Sequence, residues 1–332
     1  MVYLLFVVGF AMVIYGANFL VDGASSVAKK FNVSNLVIGL TVVAFGTSMP
    51  ELIVTTLASI SGANEIALGN VVGSNIFNVL FILGISALIY PLTVHRNTVW
   101  KEIPLTLLSA VLILVAGSDI FLDNDQPDVF ATYNAASQSP LAGALTRIDG
   151  LVMLMFFVVF IFYVFATAKD AGGDGGEEIK QMPPAKSILY VVLGLAGLVF
   201  GGKWVVDGAV DIAMSMGLSE KFVGLTIVAV GTSLPELATS TVAAFKKQTD
   251  IAIGNVVGSN IFNAFFILGA GAFINPIPIN TYGQIDAWVN IVTSLLLFGL
   301  LFVGKRHTIG RFEGIVFLLA YTAYTVYLIQ RG

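Results

Sequence analysis

One stretch of 41 residues occurs twice in this chain, and it decides the fold. Residues 44–84 read AFGTSMPELIVTTLASISGANEIALGNVVGSNIFNVLFILG, and residues 229–269 read AVGTSLPELATSTVAAFKKQTDIAIGNVVGSNIFNAFFILG. The two stretches align without a gap at an offset of 185 residues (229 minus 44), and 25 of the 41 positions are identical. A repeat of this length indicates two copies of one structural unit.

The composition places both copies in a membrane. Of the 332 residues, 57% are apolar and only 11% are charged, whereas a soluble domain carries about 25% charged residues. Apolar runs long enough to cross a bilayer as helices recur along the whole chain, which excludes a soluble core. The ten predicted spans lie at about residues 2–21, 36–61, 67–90, 102–121, 148–168, 187–207, 221–245, 251–274, 285–304 and 310–329. Cysteine is absent, so neither a disulfide nor a thiolate metal site is available.

The distribution of basic residues predicts the orientation, because lysine and arginine are retained on the cytoplasmic side of a membrane. Twelve fall on one side of the predicted spans, namely Lys29, Lys30, Arg96, Lys101, Lys169, Lys180, Lys186, Lys246, Lys247, Lys305, Arg306 and Arg311. Three fall on the other side, namely Arg147, Lys221 and Arg331. We therefore predict a multi-pass protein of the cell (inner) membrane with both termini outside the cytoplasm.

Each copy of the repeat contains five predicted helices. Because five is odd, the second copy must enter the membrane from the opposite face, which is the inverted-topology plan of many secondary transporters. The prediction is an all-α membrane protein with a first half at 1–168, a cytoplasmic linker at 169–186 and a second half at 187–332. An insertion near 122–146 distinguishes the first half. The alternative is a duplicated scaffold whose repeated residues only pack.

The first repeated motif places a carboxylate deep in an apolar span. It reads Gly46-Thr-Ser-Met-Pro-Glu51 in the first half and Gly231-Thr-Ser-Leu-Pro-Glu236 in the second. At 1.5 Å per residue, Glu51 lies roughly 22 Å along its helix, near mid-bilayer. A carboxylate at that depth indicates function, and the proline frees a backbone carbonyl. Carboxylate, hydroxyl and carbonyl oxygens are the ligands of hard cations such as Ca²⁺. A proline kink with a protonated glutamate is the structural alternative.

The second repeated motif, GNVVGSNIFN, carries polar side chains at helical spacing. Ser74 and Asn78 are four residues apart and share a helix face, as do their counterparts Ser259 and Asn263. Their neutral oxygens suit sodium and calcium. Asn70 and Asn255 extend the same face, where they either bind ions or cap broken backbone. Asn75 and Asn260 point off that face, so we predict a structural role for both.

Together the two motif pairs resemble the alpha-repeats of the sodium/calcium exchanger family, within the cation/calcium exchanger superfamily. The resemblance covers nearly the whole chain and implies a ten-helix fold with four ion positions at mid-membrane. It implies that the Glu51 and Glu236 carboxylates bind both ions, and that Thr47 and Thr232 complete the calcium position. The flanking sodium positions would be lined by Ala44, Ser48, Ser74, Ala229, Ser233 and Ser259, and the central one by Asn78 and Asn263. Some relatives carry aspartate at these last two positions, and potassium-dependent members associate it with potassium.

These observations predict a secondary active antiporter that exchanges Na⁺ for Ca²⁺ by alternating access. The transported ions and the lipid bilayer are the expected partners, with no cofactor, no nucleic acid and no obligate protein partner. The resemblance also implies that the glycine-bearing first and sixth spans slide against the ion-binding bundle. Asp22 and Asp207, at the predicted ends of those spans, are either solvated or part of a gate. The alternatives are a cation/proton exchanger, a potassium-dependent exchanger, an ion channel and a membrane-embedded hydrolase. We expect a transporter, not an enzyme.

Overall fold

The chain folds into long helices and four short strands in a computed structural model that describes residues 2–118, 141–168, 182–215 and 229–331. The helices of the first half are α1 (Val2–Phe31), α2 (Asn35–Thr47), α3 (Met49–Ser61), α4 (64–89), α5 (Arg96–Ala116) and α6 (Arg147–Thr167). Those of the second half are α7 (Pro184–Ser215), α8 (Ala229–Thr232), α9 (Leu234–Phe245), α10 (Thr249–Ile274), α11 (Thr281–Leu300) and α12 (Arg311–Arg331). The strands are β1 (Leu92–Thr93), β2 (Leu141–Leu145), β3 (Ile277–Asn280) and β4 (Thr308–Ile309).

The predicted membrane class is confirmed by the length of these helices. Among the described residues, eight helices are long and apolar enough to cross a membrane, and the bent pair α2–α3 makes a ninth. The seventh predicted span, 221–245, begins among residues that lie outside the described part of the chain, and only α8 and α9 represent it.

Both repeated motifs interrupt a helix at the same place. Ser48 leaves helical geometry (φ −81°, ψ 11°) between α2 and α3, whose axes differ by 49°. Ser233 does the same (φ −90°, ψ 10°) between α8 and α9. Pro50 and Pro235 stand in the first turn of the helix that follows, where a missing N–H costs nothing because first-turn N–H groups have no helical partner. The single span predicted at 36–61 is therefore two helices.

Three π-helical segments widen the helices near these motifs. They lie at Gly39–Val43 in α2, Asn78–Ile82 in α4 and Phe262–Leu268 in α10. The second and third occupy equivalent positions of the repeat, since 78 plus 185 is 263. Single π turns of this kind are frequent at functional sites.

Helices α1 and α7 are longer than their predicted spans. The span 2–21 extends to Phe31, and the span 187–207 runs from Pro184 to Ser215. Asp22 and Asp207 therefore lie inside helices, and the prediction that they mark helix ends was wrong. The apolar runs stop at these aspartates, but an exposed charge does not end a helix when its neighbours are good helix formers.

Two connections predicted from sequence are partly ordered secondary structure. Helix α7 takes up residues 184–186 of the predicted linker, while 169–181 lie outside the described residues. The last part of the 122–146 insertion forms β2, which pairs antiparallel with β3. Strand β1 pairs antiparallel with β4, so each small sheet joins connections that were predicted to share one side of the membrane.

The two halves interlock. Helix α1 packs along α7 through glycines, since a Cβ at Gly16 would lie 2.9 Å from the carbonyl oxygen of Gly194, and one at Gly9 would lie 2.8 Å from that of Gly201. Helix α10 packs against α2, and α12 packs against the last turns of α4. Helices α4 and α10 are the most buried of the spanning helices, so the second motif of each half lies at the centre of the molecule.

Candidate cation-binding site

The two motif carboxylates are enclosed at the centre of the molecule. Glu51 and Glu236 are both 0% exposed, and each stands in the first turn of the helix that follows the break. A helix N-terminus carries a partial positive charge, so it stabilises a carboxylate held there. In the described part of the chain, neither glutamate forms an ion pair with lysine or arginine.

Each glutamate is bonded to a serine of the opposite half. Ser233 Oγ donates to Glu51 Oε1 at 2.8 Å, and Ser48 Oγ donates to Glu236 Oε1 at 2.8 Å. Both serines lie at the helix breaks, whose geometry turns their hydroxyls toward the other half. The breaks therefore bring the two copies of the first motif together in one site.

The second motif supplies weaker contacts to the same carboxylate oxygens. Ser74 Oγ lies 3.4 Å from Glu51 Oε1, and Ser259 Oγ lies 3.5 Å from Glu236 Oε1. Both serines are buried. All four serines predicted to bind ions thus surround the two carboxylates.

The threonines of the first motif reach the asparagines that begin the second motif. Thr47 Oγ1 donates to Asn255 Oδ1 at 3.0 Å, and Thr232 Oγ1 donates to Asn70 Oδ1 at 3.3 Å. Asn70 Nδ2 donates to the main-chain oxygen of Glu51 at 3.3 Å, as Asn255 Nδ2 does to that of Glu236. The asparagine amides therefore bind backbone oxygens beside the break, which is the capping alternative for Asn70 and Asn255.

Two further amides stand where the π turns begin. Asn78 and Asn263 are 0% exposed. Asn78 Nδ2 donates to Asn260 Oδ1 at 3.0 Å, and Asn263 Nδ2 donates to Asn75 Oδ1 at 3.2 Å. The amide donors of both residues are thus occupied by the other half of the molecule.

Four buried oxygens around this centre receive no hydrogen bond from the described residues. They are Glu51 Oε2, Glu236 Oε2, Asn78 Oδ1 and Asn263 Oδ1. All four are acceptors, and they come in pairs related by the repeat. Buried acceptors without donors are costly, whereas a bound cation satisfies several at once. The donor set is one that Ca²⁺ or Na⁺ binds.

The two alanines of the predicted set take part only through the backbone. The carbonyl oxygen of Ala44 accepts from the N–H of Ser48 at 3.0 Å and from Thr47 Oγ1 at 3.3 Å. Ala229 lies at the start of α8, one turn before the second break.

Sequence reasoning missed the partners that hold the asparagines. Asn70 Nδ2 also donates to Thr55 Oγ1 at 3.0 Å, and Asn255 Nδ2 donates to Ser240 Oγ at 2.9 Å. Thr55 and Ser240 are 185 residues apart and both carry a hydroxyl. That shared chemistry at repeat-related positions, four residues after each glutamate, is the signal that would have identified them.

Comparison with known proteins agrees with this geometry. A profile of the family described as "Sodium/calcium exchanger protein" matches residues 1–166 and 186–330. The chain is 38% identical to the putative antiporter CaxA of Alkalimonas amylolytica, over 96% of this chain and 95% of that protein. It is 34% identical to the sodium/calcium exchanger MaX1 of Methanosarcina acetivorans, over 98% of each chain. A solved structure of the sodium-calcium exchanger NCX_Mj superposes with a TM-score of 0.81 at 33% identity, covering 98% of this chain and 99% of that one. This chain is therefore a member of the sodium/calcium exchanger family.

Proposed function

We propose that this chain is a secondary active antiporter that exchanges Na⁺ for Ca²⁺ by alternating access. The observation that carries the proposal is the set of four buried oxygens without donors, contributed equally by the two halves and including two carboxylates. The proposed ion-binding residues are Ala44, Thr47, Ser48, Glu51, Ser74, Asn78, Ala229, Thr232, Ser233, Glu236, Ser259 and Asn263.

Charge balance explains how the site couples the two ions. Two carboxylates carry a charge of −2 in a region of low dielectric constant, where uncompensated charge costs several kcal/mol. One Ca²⁺ or a set of Na⁺ ions neutralises that charge and permits the change between inward- and outward-facing states. The empty site remains charged and is blocked, so Ca²⁺ and Na⁺ must cross in turn.

The inverted repeat, with ten spanning helices, is part of the same proposal. It is supported by the contacts of α1 with α7, in which Gly9 faces Gly201 and Gly16 faces Gly194. Residue numbers that rise along one helix and fall along the other describe an antiparallel pair. Adding 185 to 9 and to 16 yields 194 and 201, so the repeat exchanges the two contacts, as an inverted copy would.

Contacts between connections support the proposed sidedness. His95 Nε2 lies 3.2 Å from Asp250 Oδ1, and both residues belong to connections that the basic residues assign to the cytoplasm. At the other end, Arg331 forms two hydrogen bonds with Asp286, at 2.7 and 2.8 Å. We propose that this second end, with both termini, lies outside the cytoplasm.

Flux of radioactive calcium into proteoliposomes tests the function. Vesicles with purified protein are given an outward gradient of Na⁺, K⁺ or H⁺, one at a time, and Ca²⁺ uptake is followed. We expect uptake with the Na⁺ gradient alone, without added K⁺, and its loss when a sodium ionophore collapses the gradient. Uptake driven by the proton gradient would instead assign a cation/proton exchanger, and a K⁺ requirement would assign the potassium-dependent type.

A further inference from the structure

Four asparagines at the centre of the molecule form one closed hydrogen-bond network. Asn75 Nδ2 donates to the main-chain oxygen of Asn260 at 3.2 Å, and Asn260 Nδ2 donates to that of Asn75 at 3.1 Å. Asn78 and Asn263 complete the set through the side-chain oxygens of Asn260 and Asn75. Every bond of this network joins one half of the chain to the other.

The two main-chain carbonyls determine the orientation of all four amides. A carbonyl oxygen only accepts hydrogen bonds, so Asn75 and Asn260 must turn their NH₂ groups toward these carbonyls. Their side-chain oxygens then face Asn263 and Asn78, and an oxygen there requires a donor opposite. Asn78 and Asn263 must therefore turn their own NH₂ groups outward along the network.

This orientation leaves an oxygen at the inner end of each outer amide. Asn78 Oδ1 and Asn263 Oδ1 are buried and receive no donor from the described residues. A flipped amide would present an NH₂ group there instead, and that dipole would repel a cation. An asparagine at positions 78 and 263 is thus compatible with a cation only in one of its two orientations.

We infer that Asn75 and Asn260 are positioning residues that make the central position of the site a sodium site by fixing the amide orientation of Asn78 and Asn263. The inference rests on the proposed function and deepens it, because it assigns a determinant of sodium binding. Asn75 and Asn260 act through their neighbours and supply no ligand themselves. The two arms are equivalent by the repeat, so each half provides an independent test.

A double-mutant cycle on Na⁺ dependence tests the inference. In Asn260→Ala, Asn78 loses the acceptor that orients it, and loss of one hydrogen bond corresponds to about a 5-fold change. We expect the Na⁺ concentration for half-maximal Na⁺-driven Ca²⁺ uptake to rise about 5-fold, while the Ca²⁺ half-saturation of Ca²⁺/Ca²⁺ exchange changes less than about 2-fold. Asn78→Ala should show a similar rise. The double variant should be no worse than Asn78→Ala, because both changes remove the same oxygen from the site.

Several outcomes overturn the inference. Unchanged Na⁺ dependence in Asn260→Ala, or effects that multiply in the double variant, would show that Asn260 does not act through Asn78. Asn75→Ala with Asn263→Ala repeats the cycle in the other arm and replaces the first cycle if Asn260→Ala does not fold. Asn290→Ala is the matched control, because Asn290 is a buried asparagine of α11 outside the network. Absence of Na⁺-driven uptake in the unmodified chain would defeat the proposed function itself, which separates the two failures.

Discussion

The centre of the molecule is symmetric between the two halves, whereas its two ends are not. At the centre, Ser48 is bonded to Glu236 and Ser233 to Glu51, at the same distance of 2.8 Å. At one end, Lys246 Nζ of the segment after α9 lies 2.6 Å from Asp22 Oδ1 of α1. The residue equivalent to Lys246 is a serine, Ser61, so the repeat cannot form this ion pair at the other end.

The difference extends to the partner aspartates. Asp207, the counterpart of Asp22, pairs with Lys203 of its own helix at 2.8 Å. Ser61 Oγ donates to the carbonyl oxygen of Ala58 in its own helix. Among the described residues, no hydrogen bond or ion pair joins α7 to α3. A shared centre must serve both directions of transport, while only one end needs to be closed at a time, so the ends differ where the centre does not.

Loss of either carboxylate tests the symmetry of the centre and has the largest expected effect. Glu51→Gln or Glu236→Gln keeps the shape and the serine bond but removes one of the two charges that balance Ca²⁺. An unbalanced buried charge costs about 3–5 kcal/mol, so Na⁺-dependent Ca²⁺ uptake in vesicles should fall by roughly 100-fold or more in each variant.

Glu102→Gln is the control for these two variants. Glu102 is a buried carboxylate of α5 that accepts a hydrogen bond from Tyr163, away from the helix breaks. It should retain uptake. Uptake that survives in both Glu51→Gln and Glu236→Gln would refute the assignment of the site, and a large difference between these two would refute its symmetry.

The serines at the breaks provide the next test, because each one crosses between the halves. Ser48→Ala and Ser233→Ala each remove the short hydrogen bond to a glutamate of the other half. A hydrogen bond to a charged group contributes about 1.5–3 kcal/mol, so uptake at limiting Ca²⁺ should fall by about 10-fold or more, and equally in the two variants.

Ser59→Ala separates this loss from the loss of any buried hydroxyl. Ser59 is buried in α3, and its Oγ has no hydrogen-bond partner among the described residues. Uptake by Ser59→Ala should match that of the unmodified chain. An effect confined to Ser48→Ala or to Ser233→Ala would mean that the two halves do not contribute equally to the site.

The position of the site could be predicted from the repeat, because two buried glutamates at symmetric positions have few structural explanations. Its cross-half bonds could not, since Ser48 lies next to Glu51 along the chain yet is bonded to Glu236. Repetition locates equivalent residues but does not say which element of the second copy each one faces. The π turns at Asn78 and Asn263 were missed for a related reason, because they depend on packing and leave no periodic signal.

The ends of α1 could not be read from hydropathy either. The apolar run stops at Asp22, but the helix continues for nine residues to Phe31. Lys29 and Lys30 in its last turn are favourable at a helix C-terminus, and Asp22 is neutralised by Lys246 from the other half. Both effects depend on structure beyond the apolar pattern, which explains why the predicted boundary was ten residues short.

The glycine contacts between α1 and α7 test the antiparallel pairing. A Cβ at Gly16 would lie 2.9 Å from the carbonyl oxygen of Gly194, and one at Gly194 would lie 2.6 Å from the N of Leu20. Backbone cannot retreat as a side chain can, so Gly16→Ala and Gly194→Ala should each destabilise the protein by about 1–3 kcal/mol. Thermal unfolding in detergent measures this loss. Gly299→Ala in α11 is the control, because nothing described lies within 4 Å of its added Cβ; equal losses in all three variants would contradict the close pairing.

The ion pair at one end tests the asymmetry and has the smallest expected effect. Asp22→Asn removes an exposed pair that contributes about 0.2–1 kcal/mol, so a state in which α1 leaves α9 should gain up to about 5-fold in population. The chain contains no cysteine, so spin labels can be attached to cysteines that replace Phe31 and Phe245, which are both exposed. Distances between the labels should then show a larger long-distance population in Asp22→Asn, and high salt should produce the same shift in the unmodified pair. Asp207→Asn disrupts only an intrahelical pair and should leave the distances unchanged. If it shifts them as much as Asp22→Asn does, the Asp22–Lys246 pair does not hold this end closed, and the two ends differ in sequence without differing in function.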